Sequence, residues 1–441
     1  MNARTDLAGP VASTDHQARF LEAADAIGCR LVRDALWHGE RCTWMVWTKQ
    51  SVGSAFPSCY RAAPGGLYLG VAGIALFLNR LARLTGDARQ AAAAAGALAQ
   101  VQARIGHDDR RAYGFYTGSS GAAWALIDAA GVNGEARWKE AGMRALHDLA
   151  GNAVLEASLD LLDGQAGFAA VLASVAAAEG DQVLADAAAC VADQLVASAV
   201  RDRDQVSWPG QQAQSANLVG LSHGTTGIAL ALLEVDQIRP AARYREAVAG
   251  ALRYERACYS PAHRNWPDFR AAPEAPCAEP GHVVAWCHGA TGMGMARLRM
   301  LELMPSEQAL LAEVDAALAT TVAALNAPIE PGVADVSLCH GISGLNEFLL
   351  MAARQCAHPA AASAVLAVGD MLLRGWHARN LPWGCGIPHC GETPSLLTGT
   401  AGIGHHFLRL HDPAIPSVLL PPKTLAPARA DSIPTSTGAA S

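Results

Sequence analysis

Gly70-Val71-Ala72-Gly73-Ile74-Ala75-Leu76-Phe77-Leu78 is a glycine pair followed at once by an apolar run, and the chain writes this pattern seven times. The pairs are Gly70/Gly73, Gly118/Gly121, Gly164/Gly167, Gly224/Gly227, Gly289/Gly292, Gly341/Gly344 and Gly399/Gly402, spaced 46 to 65 residues apart. That span holds two helices with their loops. The runs after the pairs, such as Ala122-Ala123-Trp124-Ala125-Leu126 and Ile228-Ala229-Leu230-Ala231-Leu232-Leu233, are apolar nearly all round, which predicts helices buried on every side. Between them lie amphipathic segments around 17–39, 86–105, 135–152, 181–199, 240–257, 305–325 and 359–378. In the sixth of these, Leu311, Val314, Leu318, Val322 and Leu325 form the apolar face. A buried helix alternating with a surface helix predicts an all-α fold, an α/α toroid of seven inner and seven outer helices. Closure is preferred over an open solenoid, which would leave one face of the inner layer in water. The glycines themselves read as structural, because a loop-to-helix junction can need φ > 0 or a close backbone approach.

The composition fits one large repeat domain. Hydrophobic residues make up 51% and charged residues 17%, enough apolar surface for a large core. The net charge of −7 and the lack of a basic patch argue against nucleic acid as the partner. Eleven cysteines, an odd count in a long chain whose first residues lack a signal-peptide layout, argue against a disulfide framework and for a reducing cytoplasm. No apolar stretch is long enough to span a bilayer. Residues 16–420 are expected to form the domain, with polar, unpatterned ends at 1–15 and at 421–441, the latter rich in Pro, Ser, Thr and Ala. Residues 258–284 read as a long loop.

Chemistry-bearing residues gather at three of the seven glycine openings. His223 precedes the fourth pair, Trp286-Cys287-His288 the fifth and Cys339-His340 the sixth. Cys287, Cys339 and His340 are borderline-soft donors that suit Zn²⁺, and three protein ligands leave a fourth position open. A buried cysteine or histidine also serves as a plain core residue, so composition alone leaves both readings standing. The later cluster Cys385-Gly386-Ile387-Pro388-His389-Cys390 has metal-like composition but stands well ahead of its glycine pair. If the repeats close, His223 faces the same cavity and can move a proton near neutral pH, with Asp160 placed either to orient it or to cap a helix.

The segments Trp286-Cys287-His288-Gly289, Cys339-His340-Gly341, Gly220-Leu221-Ser222-His223-Gly224 and Thr393–Gly404 resemble the lanthionine synthetase C-like (LanC-like) cyclases. The resemblance runs from about residue 17 to 420, and Leu408-Arg409-Leu410 with Pro416-Ser417-Val418-Leu419 is similar to the cyclase half of class II lanthipeptide synthetases. It implies a seven-plus-seven toroid with one zinc at its mouth held by Cys287, Cys339 and His340, and His223 and Asp160 as acid/base residues. It also implies Michael-type addition of peptide Cys thiols to dehydroalanine or dehydrobutyrine in a dehydrated precursor peptide. A separate dehydratase and an exporter would act alongside. Class I cyclases carry an arginine four residues before the first zinc cysteine and a tyrosine just after it. Val283 and His288 stand there in this chain, so Arg270 is the candidate cation and His288 a candidate catalytic group. The alternatives are a relative that adds glutathione or another small thiol to dehydrated residues, and a non-catalytic peptide-binding scaffold. A glycan-active toroid would need a pair of cavity carboxylates, and Asp163 is the only nearby mate for Asp160.

Overall fold

The computed structural model of the chain describes residues 14–49, 57–105, 113–151, 158–210, 216–270, 279–356 and 358–424. Each glycine pair opens an inner helix: α2 (Val71–Thr85), α4 (Ser119–Asn133), α6 (Gln165–Glu179), α8 (Thr225–Asp236), α10 (Ala290–Leu303), α12 (Ile342–Gln355) and α14 (Thr400–His411). The outer layer is α1 (Thr14–Arg33), α3 (Ala88–Arg104), α5 (Ala136–Gly151), α7 (Gln182–Ala197), α9 (Ala242–Cys258), α11 (Ala309–Leu325) and α13 (Pro359–Leu372). Each inner helix packs on the next, α14 returns onto α2, and the N-terminal α1 covers the last inner helix α14. The ring is closed.

The inner-to-outer turns follow directly from sequence. Inner helices α2 and α6 stop at Gly86 and Gly180, both left-handed, and the next residues, Asp87 and Asp181, cap the outer helices by accepting backbone N–H bonds. On α11 Val314 and Leu318 are buried and Val322 and Leu325 pack against the core as expected, whereas Leu311 is exposed and Leu310, with Ala317 and Thr321, completes the buried face. Three short antiparallel hairpins, which the helical periodicity does not announce, fill links between repeats. They are β1 (Leu36–His38) with β2 (Arg41–Thr43), β3 (Met45–Lys49) with β4 (Ser58–Ala62), and β5 (Val200–Asp202) with β6 (Gln205–Ser207). Trp44, Trp208 and Trp266 each send an indole N–H back to a carbonyl near the end of the preceding outer helix: Leu31, Leu195 and Glu255. This satisfies orphan carbonyls that the helix end would otherwise bury.

The glycine pairs work mainly by close approach. Six of the seven first glycines have extended backbone with negative φ, and only Gly289 takes a positive φ, at 80°. The second glycine of every pair is pressed on the carbonyl six residues earlier. A Cβ would lie 2.2 Å from Leu67 O at Gly73, 1.7 Å from Phe115 O at Gly121, 1.9 Å from Trp286 O at Gly292 and 1.8 Å from Leu396 O at Gly402. The loop thus folds back over the start of its own helix, and its carbonyls accept first-turn N–H groups, as in Gln165 N to Ser158 O and Ile342 N to Asp335 O.

Those loops hydrogen-bond to one another around the axis. Tyr68 N donates to Tyr116 O, Tyr116 N to Leu162 O, Leu162 N to Ser222 O and Ser222 N to Cys287 O. Trp286 N then donates to Cys339 O, Cys339 N to Leu397 O and Leu397 N back to Tyr68 O. Seven bonds of 2.7 to 3.2 Å form an unbroken collar at the end of the barrel where the inner helices begin.

The chain's own C-terminal strap enters the barrel after α14 and reaches up to the collar. After α14, residues 412–424 turn into the barrel, where Val418, Leu419 and Leu420 are buried. Trp286 Nε1 donates to Leu419 O (2.6 Å), Tyr116 Oη to Val418 O (3.1 Å) and Ser417 Oγ to Glu347 (3.2 Å). Thr424 N donates to Glu234, which also pairs with Arg299. Packed structure therefore continues through 424, past the expected boundary at 420, and helix begins at Thr14 rather than 16; residues 1–13 and 425–441 lie outside the described residues. Among the described residues every cysteine is free, and no helix is long and apolar enough to cross a membrane.

Candidate active site

The collar fixes which side chains reach the mouth. Two positions before each first glycine stand the collar residues Tyr68, Tyr116, Leu162, Ser222, Cys287, Cys339 and Leu397; one position later stand Leu69, Thr117, Asp163, His223, His288, His340 and Thr398. Cys287 and Cys339 occupy adjacent collar positions and interact directly. Their thiols lie side by side, and the hydrogen bond from Cys339 lowers the Cys287 pKa to about 6 against the opposing effect of burial. The charges of His340, Arg270 and His223 pull the same way. Cys339, almost wholly buried, is pushed well above the ordinary thiol value by burial and by its neighbour. The two thiols titrate as a coupled pair in which ionisation is favoured on Cys287 and opposed on Cys339. Inner helix N-termini gathered at this end add a field that favours the negative sulfur.

His340 follows Cys339 but turns outward and is exposed. Its imidazole lies over Gly386, where a Cβ would meet Cε1 at 2.8 Å and Nδ1 at 3.3 Å. The loop that carries Cys385 and Cys390 thus serves as the floor beneath His340; Cys385 itself is pushed up to about 12 by burial. Two neighbouring sulfurs and the imidazole of the next residue are donor types that suit zinc, but with His340 turned outward the three donor atoms are not drawn within 4.8 Å of one another. Among the described residues, however, the group of three donors drawn within 4.8 Å of one another is Asp160, Asp163 and His223.

That second group is already hydrogen-bonded. His223 Nδ1 is 2.7 Å from Asp160 Oδ2, Asp160 Oδ1 accepts Asp163 N at 2.7 Å, and Asp163 Oδ1 accepts Thr117 Oγ1 at 2.6 Å. A cation taken by His223 Nδ1 would have to break its bond to Asp160, and as hydrogen-bonded here the pair forms an oriented acid/base dyad. Burial opposes charge on His223, yet the hydrogen bond and charge of Asp160, with Asp163 behind it, raise its pKa. Its second ring nitrogen, Nε2, is left for chemistry at the mouth.

The fifth opening is the distorted one. Gly289 sits at positive φ with Val283 O so near that a Cβ would lie 1.7 Å away, and Asn265 Nδ2 holds that carbonyl at 2.9 Å. Val283 thus contributes backbone only. The loop that follows Cys258 brings Arg270 in instead, clamped by both oxygens of Asp268 at 2.6 to 3.1 Å. Its charge acts on Cys287, His223 and His288. His288 is buried with neither ring nitrogen hydrogen-bonded, although Nδ1 lies 3.9 Å from Asp268 Oδ1, and its ring lies 6.0 Å from that of His223. Burial first, then Arg270, depress it to about 3, so it is a neutral imidazole.

Sequence reading passed over Tyr68, Thr117 and Asp268. Tyr68 Oη donates to Cys339 Sγ at 2.9 Å, and burial together with the two sulfurs raises its pKa well above the phenol value. A cavity of about 240 Å³ opens beside it, lined by Thr48, Arg61, Tyr116 and Thr117 among others. Aligning the repeats on their glycines would have exposed Thr117 and Asp163, since both fall in the column that holds His223, His288 and His340.

The model of the lanthionine synthetase C-like protein family matches residues 62–420. The chain belongs to that family. Among solved structures it is similar to nisin cyclase, at 14% identity with a TM-score of 0.59, covering 79% of this chain and 89% of that one. The GH76A α-1,6-mannanase from Salegentibacter sp. HEL1_6 matches at 11% identity and a TM-score of 0.45, over 90% and 99% of the two chains. No curated protein matches the sequence. The family supports a cyclase-type enzyme, and the likeness to nisin cyclase shows the α/α toroid.

Proposed function

We propose that this LanC-like protein closes lanthionine or methyllanthionine rings, adding a peptide Cys thiol across the double bond of a dehydroalanine or dehydrobutyrine in the same dehydrated peptide. The observation that carries the reading is the juxtaposition of a buried thiol pair, with ionisation favoured on Cys287, and a raised-pKa His223 held by Asp160, all at one collar. Zn²⁺ held by Cys287, Cys339 and His340 would supply an open position that binds a thiol sulfur and stabilises its thiolate. The chain's own groups account for the proton traffic. As the S–C bond forms at the β-carbon, the π pair moves onto the α-carbon and its carbonyl. His223, protonated with Asp160 at Nδ1, donates from Nε2 to the α-carbon and recovers a proton from the incoming thiol, so the sum is S–H added across C=C. Arg270, rigid in its clamp on Asp268, offsets the negative charge around the sulfurs. His288, neutral and buried, packs beneath His223 and keeps water from that side of the dyad. The mouth holds both ends of one peptide, and that intramolecularity supplies much of the rate.

Cys339→Ala tests the reading. The variant should lose zinc on purification and leave every substrate cysteine open to alkylation, scored by mass spectrometry because cyclisation itself leaves mass unchanged. Complete ring formation by metal-free variant protein would overturn it. Addition of glutathione to a dehydrated peptide, with no intramolecular product, would assign the same site to a small thiol instead.

A further inference from the structure

We infer that Tyr68 is a positioning residue for the metal site, its hydroxyl donating to the Cys339 sulfur and thereby setting that sulfur's direction and donor strength. The inference rests on the zinc reading above and deepens it. Tyr68 Oη lies 2.9 Å from Cys339 Sγ, although the two residues are 271 apart in sequence. The tyrosine is held at both backbone atoms, its N–H on Tyr116 O at 2.7 Å and its carbonyl taken by Leu397 N at 3.0 Å. With the main chain pinned on both sides, few side-chain torsions remain free, so the hydroxyl meets the sulfur at little entropic cost. A ligand atom whose outer partner is fixed is itself fixed, and removal of such partners typically costs ~10–100-fold in metal affinity. The bond also draws charge from Cys339. Two thiolates and a bound substrate thiolate would otherwise crowd negative charge on one centre, and the phenol O–H relieves part of it without competing for the ion.

Tyr68→Phe removes the hydroxyl and leaves the collar's backbone bonds in place. Tyr116→Phe is the control: it deletes the neighbouring collar tyrosine's hydroxyl bond to Val418 O, which faces the strap. Zinc affinity of the full-length proteins is measured by chelator competition, and the Co²⁺-substituted proteins are compared by their sulfur-to-cobalt charge-transfer band. Tyr68→Phe should bind zinc roughly 10–100-fold more weakly and move the band to longer wavelength, because an unbonded thiolate gives up its electrons more easily. Tyr116→Phe should match the parent in both. Equal affinity and an unmoved band in Tyr68→Phe, or the same loss in both variants, would overturn the role of Tyr68. Failure of the parent protein to bind zinc or cobalt would instead overturn the metal reading, and this role with it.

Discussion

Asp160→Asn gives the sharpest view of the dyad. Asparagine keeps the turn, because its Oδ1 can still accept Asp163 N, but it sets an NH₂ group against His223 Nδ1 in place of a carboxylate oxygen 2.7 Å away. A hydrogen bond to a charged group contributes about 1.5–3 kcal/mol and a neutral one about 1. The protonated imidazole therefore loses about 0.5–2 kcal/mol of support relative to the neutral ring, a fall of roughly 2- to 30-fold in a step that needs the acid. An amide donor at Nδ1 also favours the tautomer with its proton on Nε2, so recovery of a proton from the thiol slows further. The native pKa of His223 is raised, so the acid form is present at low pH and disappears as pH rises through the raised value. In Asp160→Asn that alkaline limb should move to lower pH. The same pair contributes folding stability that is complete below the ordinary histidine pKa and lost as pH rises through the folded one, so the variant's thermal deficit should shrink at high pH. The assay is single-turnover ring closure across pH, read by alkylation and mass spectrometry, beside a melting curve at each pH. A profile superimposable on the parent's, alkaline limb included, would refute the assignment of His223 as the oriented acid.

Two further outcomes are expected. Metal-stripped protein treated with iodoacetamide near neutral pH should be modified first at Cys287, whose pKa is lowered to about 6, while Cys385, pushed up to about 12, stays unmodified; the labelling should rise as pH passes upward through about 6, and added zinc should suppress it. Gly292→Ala should destabilise by about 1–3 kcal/mol or more, since its Cβ would sit 1.9 Å from Trp286 O, whereas Gly131→Ala, with nothing within 4 Å, should stabilise by about 0.4–1 kcal/mol. Opposite shifts in melting temperature would bear this out, and equal ones would sink the close-approach account of the glycine pairs.

The seven-fold layering was legible because each inner helix must be apolar all round and each outer helix on one face, a pattern shared with an open solenoid except that a closed ring leaves no inner face in water. The reason for the glycines was less legible. Sequence offers backbone freedom and tight packing as equal explanations, and only the carbonyl six residues upstream separates them. On α11 the expected face held except at Leu311, whose neighbour Leu310 is equally apolar and takes the buried position. Hairpins such as β1–β2 pair only three residues a side, too short for a period to register. At the site, Cys287, Cys339, His340 and His223 stood out by residue type beside a repeated landmark. Tyr68 did not, since an aromatic residue in an apolar repeat looks like core until a contact across the seam of the ring shows its hydroxyl facing a sulfur. Asp268 was hidden for a similar reason, its partner Arg270 being the more conspicuous residue of an irregular loop.

The collar carries a consequence for how the protein is made. Cys287 and Cys339 are links in a chain of bonds whose last link joins Leu397 to Tyr68. The sulfur pair itself is assembled by neighbouring repeats: Trp286 N on Cys339 O joins the fifth loop to the sixth, and the groups that lower the Cys287 pKa belong to the fourth to sixth repeats. The hydroxyl of Tyr68 comes from the first repeat, so it reaches Cys339 only when the ring shuts. A chain opened at that seam would keep its two sulfurs together and lose the outer partner of one of them.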